Sequence, residues 1–483
     1  MKTIVAVFIS VIIFWRSSDA QSLESIIPIN CTQNSLPDTA SFILTATDYH
    51  LWLNQPIRYA SSIQIVDAGN TWPPRWFVTA PVDVNMREAG EMGLPITNAS
   101  DQNGEVIFAN AIFKKYFNGN PGMQQAILMC NHQMELIDTF FKPGREIDGH
   151  DFAINENGEK LYFLSCDTFV DMRGFFGNNS DSMVSVRYES IEIADKKGKT
   201  IFRWNPIENF GIDGMYKPYI YERSVMNNQV NLGWSHGNSL CWDADGNILY
   251  SFKYIGVGKI SRTDGHFMWR VDRNNQKPGA DSDSLPIFLQ HDLKVVKDLN
   301  GVNTYTVLSN GDSLHPHCTG YQFTVSGNMH DPHLRIVKSF TATGNIPETG
   351  AGNYDVEKNG NYLIHYGIYK GDTVNNHILF EYRDKDNRLL SQYSVMPYGF
   401  CYRVHKLDNW QPPRPVIKKK GGALIAANEG TNGAWYKLSG EGLKTVTVAG
   451  SGNKLSPVES GFYCLVVPYG IGYAVSTPFK YSK

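Results

Sequence analysis

Residues 235–252 read SHGNSLCWDADGNILYSF, and three other stretches follow the same plan: DGHDFAINENGEKLYFL at 148–164, LQHDLKVVKDLNGVNTYTVL at 289–308 and AGNYDVEKNGNYLIHY at 351–366. Each has a polar lead, a short strand, an Asn/Asp-Gly turn and a second strand. From lead residue to turn glycine the spacing is 8 (His150 to Gly158), 10 (His236 to Gly246), 10 (His291 to Gly301) and 8 (Gly352 to Gly360). Repeated strand–turn–strand units at this spacing are the mark of propeller blades. Successive starts fall about 85, 55 and 60 residues apart, so the loops must differ in length. Equivalent positions in successive blades lie at equivalent heights around the axis. Three of the four leads are His150, His236 and His291, so the repeat predicts that they converge on one mouth of the channel, where a ligand site would form.

The rest of the chain agrees with β-structure. Helix-period segments are scarce, and Gly-centred hairpin punctuation recurs at Asn103–Phe108, Lys197–Phe202 and Asp264–Trp269. The 483 residues include 25 Tyr, 25 Phe, 10 Trp and 43 Gly, a composition that favours strands and tight turns. Charged residues are 19% and the formal net charge is -3, which argues against a nucleic-acid partner.

The first 20 residues read as a signal peptide: Lys2, an apolar run of 12 residues from Ile4 to Trp15, then Ser18-Asp19-Ala20 as the cleavage context. The run is too short to span a bilayer, and no later segment is apolar for long enough, so the expectation is a secreted or periplasmic protein with no membrane span. Seven scattered cysteines follow, an odd number that leaves at least one thiol without a partner in the chain. Asn30-Cys31-Thr32, Asn98-Ala99-Ser100 and Asn178-Asn179-Ser180 fit the glycosylation sequon.

Composition changes near residue 410. Gln411-Pro412-Pro413-Arg414-Pro415 reads as a linker, and residues 411–483 hold 9 Lys/Arg against 3 Asp/Glu. The expected organisation is therefore signal peptide (1–20), all-β propeller (21–410) and small β-sandwich (411–483). The C-terminal pattern WYKLSGEGLKTV…LSPVESGFYCLVV resembles the immunoglobulin-like modules that end many exported bacterial enzymes.

Taken in order, the runs Asp148-Gly149-His150-Asp151, Trp234-Ser235-His236-Gly237-Asn238-Ser239, Trp269-Arg270 and Gln290-His291-Asp292-Leu293, with Ser309-Asn310-Gly311, Gly352-Asn353 and Tyr402-Arg403, resemble the PAPS-independent arylsulfate sulfotransferase family over about residues 100–405. The resemblance implies a six-bladed propeller that moves a sulfuryl group from a phenolic sulfate ester to a phenol acceptor through a sulfated histidine, with no cofactor. It gives His291 the nucleophile's place, His236 and His150 those of histidines lining the sulfate pocket, and Asn238 a place beside them. Where the family has Arg, as SSR, this chain reads Ser251-Phe252-Lys253, so Lys253 is the expected sulfate-binding cation without the bidentate fork of Arg. The loop Asp312-Ser313-Leu314-His315-Pro316-His317-Cys318 also departs from the family.

Imidazole chemistry suits such a step. A free ring near its ordinary pKa of about 6.5 is largely unprotonated at neutral pH and nucleophilic. A second His can pass a proton to and from the phenols. Asp151 and Asp292 follow His150 and His291 directly, so in a strand they point to the opposite face, and they read as structural residues. His315, His317, Cys318, His330 and His333 do not fix a metal geometry, and no metal is expected. Lys418-Lys419-Lys420 reads as a solvated turn. A propeller that keeps the pocket but only binds a ligand or partner is the alternative function.

Overall fold

The turns predicted from Asn/Asp-Gly pairs set the strand pattern. Gly158, Gly246 and Gly360 take φ of 73°, 79° and 84°, which a Cβ would oppose. Each turn has the same bonds: Gly158 N–H donates to Asn155 O (2.9 Å), Gly246 N–H to Asp243 O (2.9 Å) and Gly360 N–H to Glu357 O (2.9 Å). The structure, a computed structural model, describes residues 23–37, 40–48, 62–69, 72–79, 92–96, 108–112, 126–173, 183–212, 223–226, 229–272, 282–297, 303–312, 314–328, 331–342, 350–367, 377–395, 399–407, 411–428, 431–457 and 459–483. The signal peptide, the sequons at 98–100 and 178–180, the turn at Gly301, Ser313, His330 and all of the Asn103 hairpin but Phe108 lie outside the described residues.

Six blades follow one another around a ring, the six-bladed propeller expected, each with four core strands that in some blades are joined by further strands. Blade 2 is Met92–Ile96, Phe108–Ile112, Ala126–Cys130 and Leu136–Phe140. Blade 3 is Glu146–Ile154, Lys160–Val170, Val184–Ala194 and Thr200–Trp204. Blade 4 is Gly237–Trp242, Ile248–Phe252, Gly256–Ile260 and Phe267–Asp272. Blade 5 is His291–Lys297, Asn303–Ser309, Thr319–Asn328 and Asp331–Thr341. Blade 6 is Asn353–Val356, Tyr362–His365, His377–Arg383 and Leu389–Val395. In blade 1 the inner strand Val404–Leu407 comes from late in the chain and pairs with Ser41–Asp48, which continues to Ser62–Asp67 and Trp76–Thr79. The early strand Ile29–Asn34 adds a fifth strand to blade 6. Early and late segments thus interlock in two neighbouring blades, and the ring closes.

Middle strands are clasped between neighbouring blades, so they are apolar on both faces rather than alternating. Ile248–Phe252 and Gly256–Ile260 are buried at every position, whereas the outer strand Phe267–Asp272 carries an exposed Arg270. Trp269 from that strand packs against Tyr305 and Phe323 of blade 5, a contact between blades and away from the histidines. Inner strands are stapled to one another by side chains: Asp151 accepts from Leu240 N–H (2.9 Å), Ser239 from Leu293 N–H (2.8 Å) and Asn353 from Val404 N–H (3.0 Å).

The C-terminal strands form a three-stranded sheet (Ile417–Lys420, Ala423–Ala426, Lys454–Leu455) and a larger sheet of Gly433–Ser439, Thr445–Gly452, Gly461–Tyr469, Gly472–Val475 and Phe479–Tyr481. The larger sheet runs on into blade 1, with Tyr473 opposite Phe77 and Ala474 opposite Trp76. These pairings do not show an immunoglobulin-like arrangement. Trp435, Tyr463 and Leu465 share one core with Ile63, Trp76 and Val78, and Tyr436 and Val466 share another with Phe77. The proline-rich linker is itself docked: Arg414 Nη2 donates to Asp67 (2.9 Å) and Arg414 Nη1 to the Val475 carbonyl (2.8 Å), while Arg75 Nη1 donates to Pro412 O (2.9 Å). All seven cysteines are free thiols.

A shared core makes the two parts interdependent. Ending the chain at residue 410 uncovers Trp76 and the edge of its strand, and Trp76→Ala alone should cost about 3–5 kcal/mol. Calorimetry should give the shortened chain a clearly lower unfolding midpoint than the full chain, and an unchanged midpoint would show that the C-terminal strands are a mere appendage.

Candidate functional site

Three blades bring the lead histidines together, and a fourth adds a tyrosine. His150 lies within the inner strand of blade 3, His236 one residue before that of blade 4, and His291 at the start of that of blade 5. The His150 and His236 rings meet edge to face at 4.9 Å. Tyr402, which leads into the inner strand of blade 1, stands 5.8 Å from the His150 ring and 6.1 Å from the His291 ring. The site deepens from solvent inwards: His150, His236 and Lys253 are half-buried, while His291 and Asn238 are buried.

His291 is held in one tautomer. Its Nδ1 faces two acceptors, Asn310 Oδ1 at 2.7 Å and Leu289 O at 3.0 Å, so that nitrogen carries the proton. Nε2 therefore holds the lone pair, and it accepts from the Ala351 N–H at 3.1 Å. Asn310 is oriented in turn by donating from Nδ2 to Ala351 O at 2.7 Å. Burial first, and then the nearby Lys253 ammonium, hold His291 well below the ordinary imidazole range. A Cβ on Gly350 would lie 3.8 Å from Lys253 Nζ and 3.9 Å from His291 Cε1, so both groups border that glycine. The ladder slips between His291 and Lys294, and Asp292 sits at φ 61°. This bulge sends the two side chains apart.

His150 is the opposite case. Burial alone would lower its pKa, but the Asp148 carboxylate outweighs burial and raises it, through an ion pair with Nδ1 at 2.6 Å. Burial likewise opposes ionisation of Asp148, yet His150 holds that carboxyl below its usual range. The pocket thus shifts one imidazole toward its protonated form and another toward its neutral form.

The floor beneath them is a buried charge network. Arg403 Nη1 reaches Asp151 at 3.0 Å, Arg403 Nε reaches Asp292 at 3.4 Å, and Arg403 Nη2 donates to Asn238 O at 2.7 Å. Lys294 bridges Asp292 and Asp355, each at 3.1 Å, and His405 Nδ1 meets Asp355 at 2.7 Å. Asp151 and Asp292 are structural, as their position beside the histidines implies. Asn238, expected in the sulfate pocket, is buried with Nδ2 donating to Gln290 O at 2.6 Å, so its amide nitrogen ties blade 4 to blade 5.

Several residues of the site carry no signal in a single sequence. Glu189 reaches the His236 turn from a different blade, and Ala351 acts through its backbone. Tyr402, Arg403 and Asn310 lie in runs that belong to the family resemblance, but their partners are set by the ring. In the 312–318 loop, His315 stacks on Phe288 at 3.7 Å and bonds to Asp312, while Cys318 is buried in the core with Leu308. Among the described residues, no group of three or more His, Cys, Asp or Glu is placed to hold a metal ion, and no helix is long and apolar enough to cross a membrane.

Among solved structures the chain is similar to the WD40 domain of SCAP from fission yeast, with 9% identity over 79% of this chain and 90% of that one and a TM-score of 0.28. It is also similar to a eukaryotic initiation factor, with 9% identity over 92% and 95% of the two chains and a TM-score of 0.26. No family model matches the chain, and no curated protein matches it.

The opposed histidines give a direct test. In an NMR titration, His150 should take up its proton above the ordinary value of about 6.5 and His291 well below it. The signs for stability differ. His150 contributes stability that is present below the unfolded pKa and lost as pH rises through its folded value. For His291 the unfolded chain takes the proton that the folded chain refuses, so acidification below about 6.5 destabilises the fold through that ring. The reverse order of midpoints would mean that in solution His150 lacks its Asp148 contact and His291 is not buried beside Lys253.

Proposed function

We propose that this propeller transfers a sulfuryl group from a phenolic sulfate ester to a phenol through His291, outside the cytoplasm and without a nucleotide. The observation that carries the reading is the fixed Nδ1-protonated tautomer of His291, in a pocket where burial and Lys253 hold the ring weakly basic. In the first half, Nε2 bonds to sulfur, the sulfur–phenol oxygen bond breaks, and the phenolate leaves with the electron pair. His236 supplies its proton. In the second half, His236 takes the proton of the acceptor phenol, whose oxygen attacks sulfur and releases His291. Lys253, and His150 when the Asp148 contact holds a proton on it, offset the sulfate's negative oxygens.

One contact favours the alternative of a propeller that only binds a ligand. The Ala351 N–H occupies Nε2 in the resting site, and sulfuryl transfer requires that bond to open. Ala351 and Gly352 sit at φ 65° and 97°, an uncommon conformation for an alanine.

A chromogenic aryl sulfate with a phenol acceptor separates the two readings. Under transfer, mixing with donor alone leaves one SO3 group on the peptide containing His291, and kinetics show double displacement. His291→Ala should lower turnover by about 10³-fold or more with little change in melting temperature. Donor turnover that survives His291→Ala at near-normal rate overturns the assignment, and no release from any aryl sulfate leaves the binding reading. Lys253→Arg should keep or raise activity if the donor is a sulfate ester, because guanidinium can grip two oxygens at once. A large loss in that variant, measured as kcat/KM, would show that the site does not accept a guanidinium in the family's manner.

A further inference from the structure

Glu189 is a buried carboxyl that the proposed chemistry leaves without a task. It lies where its strand changes neighbours: residues 191–194 pair with 200–204, and residues 185–187 pair in parallel with 231–233. In the gap between these ladders, the Glu189 N–H donates to Ser235 Oγ at 2.9 Å. Glu189 Oε2 accepts from the Ser235 hydroxyl at 2.5 Å and from the Gly237 N–H at 2.9 Å. These two residues flank His236, which is held at φ 51°. The turn is also fixed before and after: Trp234 N–H donates to Arg187 O at 2.8 Å, and the His236 carbonyl accepts from Lys253 N–H at 3.0 Å. A Cβ on residue 237 would come within 2.7 Å of the Phe163 ring, so blade 3 also grips the turn by shape.

A hydroxyl or amide would satisfy two donors at lower desolvation cost than an acid. Burial, followed by the nearby Asp148 carboxylate, pushes Glu189 up to about 7, against the Ser235 and Gly237 bonds and His150, which favour its charged form. Strongly perturbed carboxyls of this kind gather at working sites.

We propose that Glu189 is a positioning residue: it clamps the Ser235–His236–Gly237 turn in the left-handed form that aims His236 at His150 and the reacting group. The clamp is a claim about this chain's geometry, and its catalytic consequence rests on the proton-transfer role proposed for His236.

The test uses the full chain with Glu189→Ala and Glu189→Gln. Gln keeps one oxygen for the Ser235 and Gly237 donors. In Glu189→Ala the His236 ring proton resonance should move and its magnetisation transfer to His150 should vanish, and Glu189→Gln should restore both. An unchanged His236 signal in Glu189→Ala overturns the clamp, whether or not the protein turns over any sulfate ester. Should Glu189→Ala fail to fold, Ser235→Ala removes one leg of the clamp and must shift the same resonance. With the aryl sulfate assay, Glu189→Ala should lower kcat by about 10²-fold with KM nearly unchanged, as for loss of a placed proton donor. It should add no further loss to His236→Ala, because the two act as one unit. Additive losses would place Glu189 in the general scaffold and overturn the inference, whereas wild-type inactivity with a shifted His236 signal would sink the proposed reaction alone.

Discussion

Arg403 is the fixed point of this molecule. It precedes the inner strand of blade 1, and its guanidinium reaches the inner strands of blades 3, 4 and 5 at Asp151, Asn238 O and Asp292. With six blades, those partners lie across the axis from it. Burial alone would make this cation less stable, but the Asp151 and Asp292 carboxylates outweigh burial and raise its pKa. Losing one partner of such a buried pair costs about 3–5 kcal/mol, because the remaining charge is stranded away from water. The contact therefore joins the strand that closes the ring to the blades that carry the histidines, and closure and site assembly become one event.

This arrangement separates two kinds of chemistry across one layer of backbone. At both His-Asp pairs the ladder is irregular, and the bulged backbone sends the two side chains to opposite sides. His150 and His291 face the mouth while Asp151 and Asp292 face the floor, where Arg403 and Lys294 hold them. The carboxylates are spent on the frame, so they do not protonate His291. Burial and Lys253 depress the basicity of His291, and the bonds from Nδ1 to Asn310 and Leu289 restore it only in part. Asp148, two residues before His150, reaches the His150 imidazole from the side.

Alternation and repeat phase were enough to read the blades, the convergence of His150, His236 and His291, and the structural role of the two aspartates. They act through spacing along one strand, which a single sequence displays. The rest depends on contacts between distant strands. Glu189 meets the His236 turn 46 positions away through Ser235, and Arg403 meets Asn238 at a separation of 165. No periodicity encodes those pairs. The proline-rich stretch near residue 412 illustrates the same limit: its composition reads as a linker, yet Arg414 and Pro412 bind Asp67 and Arg75, more than 300 residues earlier.

A histidine that must both attack sulfur and later leave it faces opposing demands. High basicity strengthens the attack, but it invites protonation and makes the sulfated ring harder to displace. On the proposed chemistry, burial and Lys253 favour departure by holding His291 weakly basic, while Asn310 favours attack by keeping the proton on Nδ1. The Ala351 N–H bond to Nε2 adds a third control. It satisfies the lone pair of a buried ring in the resting state, where an orphaned acceptor would cost stability. When Nε2 bonds to sulfur, that donor is released beside the transferred group, whose oxygens carry the negative charge that a backbone N–H serves best. The contact that restrains the resting nucleophile is thus placed, on this reading, to stabilise the state that follows attack.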